Sequence, residues 1–202
     1  LTNDKPNISP LKDWREKRFE GQTTYQVVSI DERSAIKATT IGGASALYRN
    51  VAINLDTTPL LNWSWRVDNI FPIKNERIKA GDDFAARLYV VVKEGPLPWQ
   101  TKALNYVWSN NTSLSEQIND KRLSARPHWD NPFTSKAAMI AIQAGEKGLG
   151  NWHSHQVNIK EDYYRVFGKR ISKIDGIALM TDADNAGHSA TSYFGSIFFS
   201  AK

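Results

Sequence analysis

Two short acidic stretches carry the densest chemistry in this chain: Gly81-Asp82-Asp83 and Asp182-Ala183-Asp184-Asn185. Both fall at the ends of strand-like runs, where loops can converge. Asp82, Asp83, Asp182, Asp184 and Asn185 together offer the oxygen ligands that Ca²⁺ takes in sets of about six to eight. The competing reading is local: Asp and Asn cap backbone groups and make turns. The spacing is not that of an EF-hand, which favours the turn reading over a metal site. Calcium is the one cofactor these residues suggest.

A second group lies on strands. If side chains alternate along each run, Arg66, Arg87, Tyr89, Asn105 and Ser64 project from one face of neighbouring strands. Arginine binds carboxylate and phosphate in a two-pronged fashion, so such a face would suit an acidic sugar or another anionic ligand. It would equally suit a buried salt network with Asp83 or Asp182. Tyr106, Trp108 and Trp129 complete the candidate ligand surface, because flat aromatic rings are platforms on which sugars stack. His153 and His155 share a strand face. A metal there would need a third ligand, with His188 the candidate, and a surface histidine pair is the preferred reading.

For catalysis the signals are few. The chain holds no nucleophile elbow, no glycine-rich phosphate loop and no HExxH. Asp83 and Asp182, with Arg87 and Tyr106 beside them, could cleave a glycoside only if folding sets the carboxylates ~5 to 9.5 Å apart.

The elements that must position these residues read as strands. The stretch GDDFAARLYVVVKEGPLPWQTKALNYVWSN holds two runs, Asp83 to Val92 and Thr101 to Ser109, around a turn-rich segment. The first puts Phe84, Ala86, Leu88, Val90 and Val92 on one face, and the second puts Leu104, Tyr106 and Trp108 on one face. They are predicted to pair as an antiparallel hairpin of interior strands. Further strands are predicted over Trp14 to Glu20, Thr23 to Ile30, Ser34 to Thr40, Ala44 to Ile53, Pro59 to Val67, Lys136 to Ala144, Asn151 to Lys160, Ile174 to Thr181 and Ala190 to Ser200. Leu61, Trp63 and Trp65 share a face that should be core. Residues 1–13 read as an extended arm. Residues 110–136 read as a long connection with one short strand at Lys121 to Ala125, and connections of that length are functional or mobile. A single helix is predicted over Glu161 to Gly168, with acids in its first turn and glycine at its C-terminal end. The sum is an all-β chain forming one domain over residues 1–202: a two-sheet antiparallel sandwich, jelly-roll-like, with one short helix.

Composition narrows the rest. The chain has 202 residues, 41% of them hydrophobic, and no cysteine, so disulfides and thiolate metal sites are excluded. No run approaches the ~20 apolar residues of a membrane-spanning helix. The net charge of +5 is spread among acids, as in Asn75-Glu76-Arg77-Ile78-Lys79, which argues against a nucleic-acid partner. Leu1 is not a start residue, so a processed, exported chain is expected.

Five ordered motifs resemble one family: Trp63-Ser64-Trp65-Arg66-Val67; Gly81 to Arg87; Ala103 to Trp108; Asp162-Tyr163 with Phe167-Gly168; and Gly176 to Asp182 with Asp184-Asn185. It is the bacterial family of exported proteins known as domain of unknown function 3047, and the resemblance runs from about Trp14 to Phe199. It implies a periplasmic, secreted or cell-envelope protein and no particular activity. More loosely, Trp14…Phe19-Glu20-Gly21 and Tyr193 to Ile197 look like the ends of galactose-binding-type jelly rolls found as carbohydrate-binding modules. One position departs from the family pattern. Gly195-Ser196-Ile197 stands where Gly-Asp-Ile is usual, and an acid that could ligate calcium is missing. Three functions remain in view: a non-catalytic protein binding carbohydrate or another envelope ligand, a polysaccharide-acting enzyme with paired carboxylates, and a structural protein of the envelope.

Overall fold

The computed structural model describes residues 11–73, 75–120 and 125–201. Two sheets face one another. Strands β1 (Arg15–Glu20), β4 (Ala44–Asn54), β6 (Arg87–Lys93), β7 (Thr101–Ser109), β8 (His128–Asn131), β9 (Thr134–Ala144) and β11 (Lys173–Asp182) form a seven-stranded sheet in the order β1-β4-β11-β6-β7-β9-β8. Strands β2 (Thr23–Ile30), β3 (Arg33–Ile41), β5 (Leu60–Val67), β10 (His153–Asn158) and β12 (Ser189–Ser200) form a five-stranded sheet in the order β10-β5-β12-β3-β2. The architecture is the jelly-roll-like sandwich the alternation predicts. Among the described residues pairing is antiparallel except for β7 against β9, which run parallel.

The central hairpin is present, with Arg87 opposite Val107 and Lys93 opposite Thr101. It differs from expectation at one end. Residues 83–86 precede the strand, because their backbone groups are satisfied elsewhere: the Phe84 carbonyl accepts from Asp182 N, and the Ala85 carbonyl accepts from the Thr181 hydroxyl at 2.8 Å. Phe84 therefore leaves the face of Leu88 and packs with Val107, Leu114, Trp129 and Met139 on the far side of the sheet.

Between the sheets, Leu88, Val90, Leu104, Tyr106 and Trp108 meet Trp63, Trp65, Ile36 and Phe194 in one core. Trp63 and Trp65 are buried as predicted and touch edge to face, 5.5 Å between centroids. Tyr106 and Trp108 are buried with them and are not ligand-facing. The tyrosine hydroxyl donates to Asp162 at 3.1 Å, and the indole donates to the Gly145 carbonyl at 3.0 Å. Strand alternation turns these residues inward and their neighbours Asn105 and Val107 outward.

The histidine pair is also corrected. His153 and His155 lie side by side, 6.4 Å apart, but face the indoles of the core rather than solvent. His188 sits elsewhere, stacked on Phe71. Strand β10 is at the sheet edge, yet its inward face continues with Val157, so the histidines follow the same face into the core.

Helix α2 (Ile159–Phe167) realises the predicted helix. Asn158 caps it by accepting from Lys160 N and Glu161 N, and Gly168 ends it at φ 66°. In the long connection, where only a short strand is predicted, the structure also has a helix, α1 (Leu114–Asn119). Leu114 and Ile118, one turn apart, seat it on the Phe84 cluster. The connection's strand is β8, downstream of the expected site; residues 121–124 of that site and residues 1–10 of the expected arm lie outside the described residues. No helix among the described residues is long and apolar enough to cross a membrane.

His155 carries a consequence for stability. Burial lowers its imidazole from the ordinary 6.5 to about 3, and its Nε2 has no partner. The folded chain thus refuses a proton that the unfolded chain accepts below pH 6.5. This residue's contribution to stability is complete above that pH and is lost on acidification towards pH 3, a change on the order of a few kcal/mol. Urea unfolding across this window should show His155→Phe losing markedly less stability than the native chain. Equal losses in the two proteins would refute the assignment.

Candidate functional site

The register of β11 against β6 builds the site. Met180 pairs with Arg87, so Asp182, two residues further along β11, reaches back over the first residue of β6. Arg87 is 2% exposed, and Asp182 is equally buried. Nε of Arg87 donates to Asp182 Oδ1 at 2.8 Å, and Nη2 donates to Asp182 Oδ2 and to the Asp82 carbonyl. Nη1 donates to Asp82 Oδ2 at 3.4 Å and to the Tyr89 hydroxyl at 3.5 Å. A guanidinium has five N–H groups, and here all five have acceptors. Its plane lies over the Phe84 ring, 4.5 Å from the centroid.

Asp83 works beneath this pair. Its Oδ1 accepts from Asn185 Nδ2 at 3.0 Å and from Asn185 N at 3.3 Å, while Oδ2 accepts from Ala186 N. It thereby pins the loop after β11. Its own carbonyl takes Asn110 Nδ2 at 2.7 Å. Buried Glu76 accepts from Asn110 N at 2.9 Å and from the Ser109 hydroxyl. Gly81 makes this approach possible, since a Cβ there would stand 2.1 Å from the Asn75 carbonyl oxygen.

Electrostatics follow from burial. Desolvation pushes the Asp182 carboxyl up to about 7, with Arg87 drawing it back down and Asp82 and Asp83 adding to the rise. Burial likewise raises Asp82 and Asp184. The Tyr89 phenol is pushed up to about 12, again chiefly by burial.

Above these groups opens a pocket of about 350 Å³ on the outer face of the seven-stranded sheet. Asp82, Arg87, Tyr89, Asn105 and Asp182 line it, with Asp184 and Asn185 on one side. Phe133 and Phe19, both more than half exposed, form its rim, and Met180 adds an apolar wall. Two buried acceptors among the lining residues have no partner: Asp82 Oδ1 and Asn105 Oδ1. The Asn105 amide nitrogen is turned to the Met139 sulfur at 3.2 Å. A larger depression of about 540 Å³ lies by α2, among Leu55, Asp56, Lys160, Tyr164 and Arg170. Its polar groups pair with each other, as in Lys160 with Asp56 and Asn158 with Glu161, and none of them is both buried and unpartnered. The smaller pocket is therefore the better candidate, despite its size.

Of the residues singled out from sequence, Asp82, Arg87, Tyr89, Asn105, Asp182, Asp184 and Asn185 surround this pocket, and Asp83 supports it. Arg66 does not. It sits on β5 in the other sheet, bonded to Asp31 at 3.1 Å and Asp68 at 3.0 Å, and stacked on Tyr193. The expectation that β5 neighbours β6 fails because the chain crosses to the opposite sheet between them. Trp129 is buried beside Phe84, under Arg77, and does not line the pocket. Asn131, Phe133 and Phe19 were not anticipated. Asn131 donates to Asp82 at 3.2 Å and also accepts from Phe133 N, which turns the phenyl ring towards the rim.

Oxygens of Asp83, Asp182 and Asp184 lie within 4.8 Å of one another. Their arrangement suits calcium poorly. Arg87 already supplies the positive charge to Asp182, and the Asp83 oxygens accept from loop N–H groups, so two of the three carboxylates are committed to protein donors. The same commitments disfavour Asp83 and Asp182 as an acid–nucleophile pair.

The profile of a family described as "Protein of unknown function (DUF3047)" matches residues 12–198. The chain belongs to this family. No curated protein matches it. Among solved structures, the DUF3047 chain is similar in fold to the family 11 carbohydrate-binding module of Clostridium thermocellum. Identity is 9%, the match covers 96% of this chain and 92% of that one, and the TM-score is 0.50. It also matches the xyloglucanase domain of NopAA from Sinorhizobium fredii, at 11% identity, 98% coverage of both chains and a TM-score of 0.48. These likenesses describe the fold.

The Arg87–Asp182 pair yields a stability test. Arg87→Met strands a buried carboxylate and should cost about 3–5 kcal/mol. Arg87→Met combined with Asp182→Leu should cost clearly less than the sum of the two single changes, because the second substitution removes the orphaned charge. Urea unfolding of the four proteins decides it, and strict additivity would show the pair to be uncoupled.

Proposed function

We propose that this domain is a non-catalytic carbohydrate-binding protein of the bacterial envelope, exported, with its ligand seated in the pocket over Arg87 and Asp182. The observation that carries the reading is the pair of unpartnered buried acceptors, Asp82 Oδ1 and Asn105 Oδ1, among the residues lining a pocket rimmed by exposed phenyl rings. A buried acceptor without a donor is costly, about 1–3 kcal/mol, so a ligand that supplies donors recovers that energy on binding. Sugars bring hydroxyl donors around a ring whose C–H faces pack on aromatic side chains. A fold shared with a module solved in complex with a β-1,3-1,4-mixed-linked tetrasaccharide is compatible with this role and supplies no site of its own.

The enzymatic alternative has less support. The closest carboxylates are tied up by protein donors, and an acid or nucleophile must be free to reach substrate. The rim phenylalanine gives a direct test. Phe133 is 55% exposed, so Phe133→Ala should leave the fold intact and weaken oligosaccharide binding about tenfold, as the loss of one stacked ring implies. Trp99→Ala, an equally exposed aromatic that does not line the pocket, should leave affinity unchanged. Calorimetric titration of a neutral oligosaccharide panel reads both. Loss of affinity from Trp99→Ala but not from Phe133→Ala would place the ligand elsewhere.

A further inference from the structure

We propose that the pocket is selective for an amino sugar, a saccharide presenting a free ammonium group, rather than for an acidic or N-acetylated one. This rests on the carbohydrate reading above and narrows it. Three acids line the pocket, Asp82, Asp182 and Asp184, against one cation, Arg87. That cation cannot serve a ligand, since its five N–H groups are spent on Asp182, Asp82 and Tyr89. The presence of an arginine in the site therefore does not make it a site for carboxylates or phosphates.

The remaining polar groups point the same way. Asn131 gives its amide hydrogens to Asp82 and to the Met139 sulfur, and the Tyr89 hydroxyl lies 3.4 Å from the Met180 sulfur as its donor. Lys17 and Lys79 engage the rim rings of Phe19 and Phe133, with ammonium-to-centroid distances of 5.1 and 5.4 Å. What the lining has left over is two acceptors, Asp82 Oδ1 and Asn105 Oδ1, with the exposed carboxylate of Asp184 beside them. A sugar hydroxyl carries an acceptor as well as a donor, and few donors are left among the lining residues to meet that acceptor, the Thr134 hydroxyl being one. An ammonium has three donors and no acceptor, which matches the inventory and the sign of the charge. An N-acetyl group would remove the charge and bring a carbonyl oxygen to a site short of donors.

The test compares four tetrasaccharides by calorimetry in neutral, low-salt buffer: β-1,4-linked glucosamine, its N-acetylated form, the plain glucose polymer and an oligouronate. The free amine should bind about tenfold or more tighter than the acetylated and neutral forms, as one charge-assisted contact implies, and its advantage should shrink with added salt. Asp82→Asn should abolish that advantage. Asp184→Asn, at an exposed position where the fold is not at stake, should reduce it. Equal affinity for amine and neutral sugar, or tighter binding of the oligouronate, overturns the selectivity and leaves carbohydrate binding standing. An advantage for the amine that survives both substitutions overturns the assignment to this pocket. Failure of all four to bind removes both proposals together.

Discussion

A buried arginine has to be paid for in counter-charge and hydrogen bonds, and much of this molecule's outer sheet is arranged around that requirement. Arg87 begins β6 on the face away from the core. Asp182, from the end of β11, and Asp82, from the segment before β6, close around it. Each partner is held in turn: Asp182 Oδ1 by Phe84 N at 3.2 Å, and Asp82 by Asn131 from the far side of β9. Asp83, next in sequence, is drawn off to anchor the loop after β11. Three chain segments that are far apart in sequence, around residues 82–89, 131 and 182–186, thus converge around one guanidinium and its partners. The pair is weak evidence for stability, since desolvation offsets much of the attraction. Its better attested role is specification: the termini of β6 and β11 can meet in one register.

That register also decides what the pocket can do. Because Arg87 is saturated by protein, its charge is internal to the structure, and the character of the surface is set by what remains. The remainder is a set of oxygen acceptors edged with phenyl rings. An arginine seen in a sequence motif suggests an anion site. The same arginine with every N–H satisfied turns the site towards donors. The difference lies in tertiary hydrogen bonding and cannot be read from residue type.

The two faces of the seven-stranded sheet divide the labour. The inner face of Leu88, Val90, Leu104, Tyr106 and Trp108 packs against the indoles of β5, and histidines of β10 fill the gaps between rings. The outer face is covered in part by α1 and the Phe84 cluster and is left open beside it, where Tyr89, Asn105 and Met180 floor the pocket. Thr181 joins the layers behind the site: its hydroxyl donates to Ala85 and meets the Ser192 hydroxyl of the opposite sheet at 2.6 Å. The site is therefore backed by hydrogen bonds that tie the two sheets together.

Sequence alone determined the layer architecture and every strand but β8, because alternation of period two and the turn residues between runs are local properties of the backbone. It marked Trp63 and Trp65 as core, placed the capped helix at 161–168 and identified the family through its ordered motifs. It also contains a signal for α1, the Leu114 and Ile118 spacing of one helical turn. Other features depended on which strands become neighbours. Arg66 and Arg87 lie on like-looking strands, yet the chain crosses to the other sheet between them, so one arginine is a surface ion pair and the other the buried centre of a site. Tyr106 and Asn105 differ by one position, and only the packed sandwich shows which of the two faces inward. Asn131 and Phe133 reach the pocket through the pairing of β8 with β9, at the end of a connection with no periodicity to announce it. Local pattern sets the elements; the choice of partners across space, made by burial and by the need to satisfy buried charge, sets the chemistry.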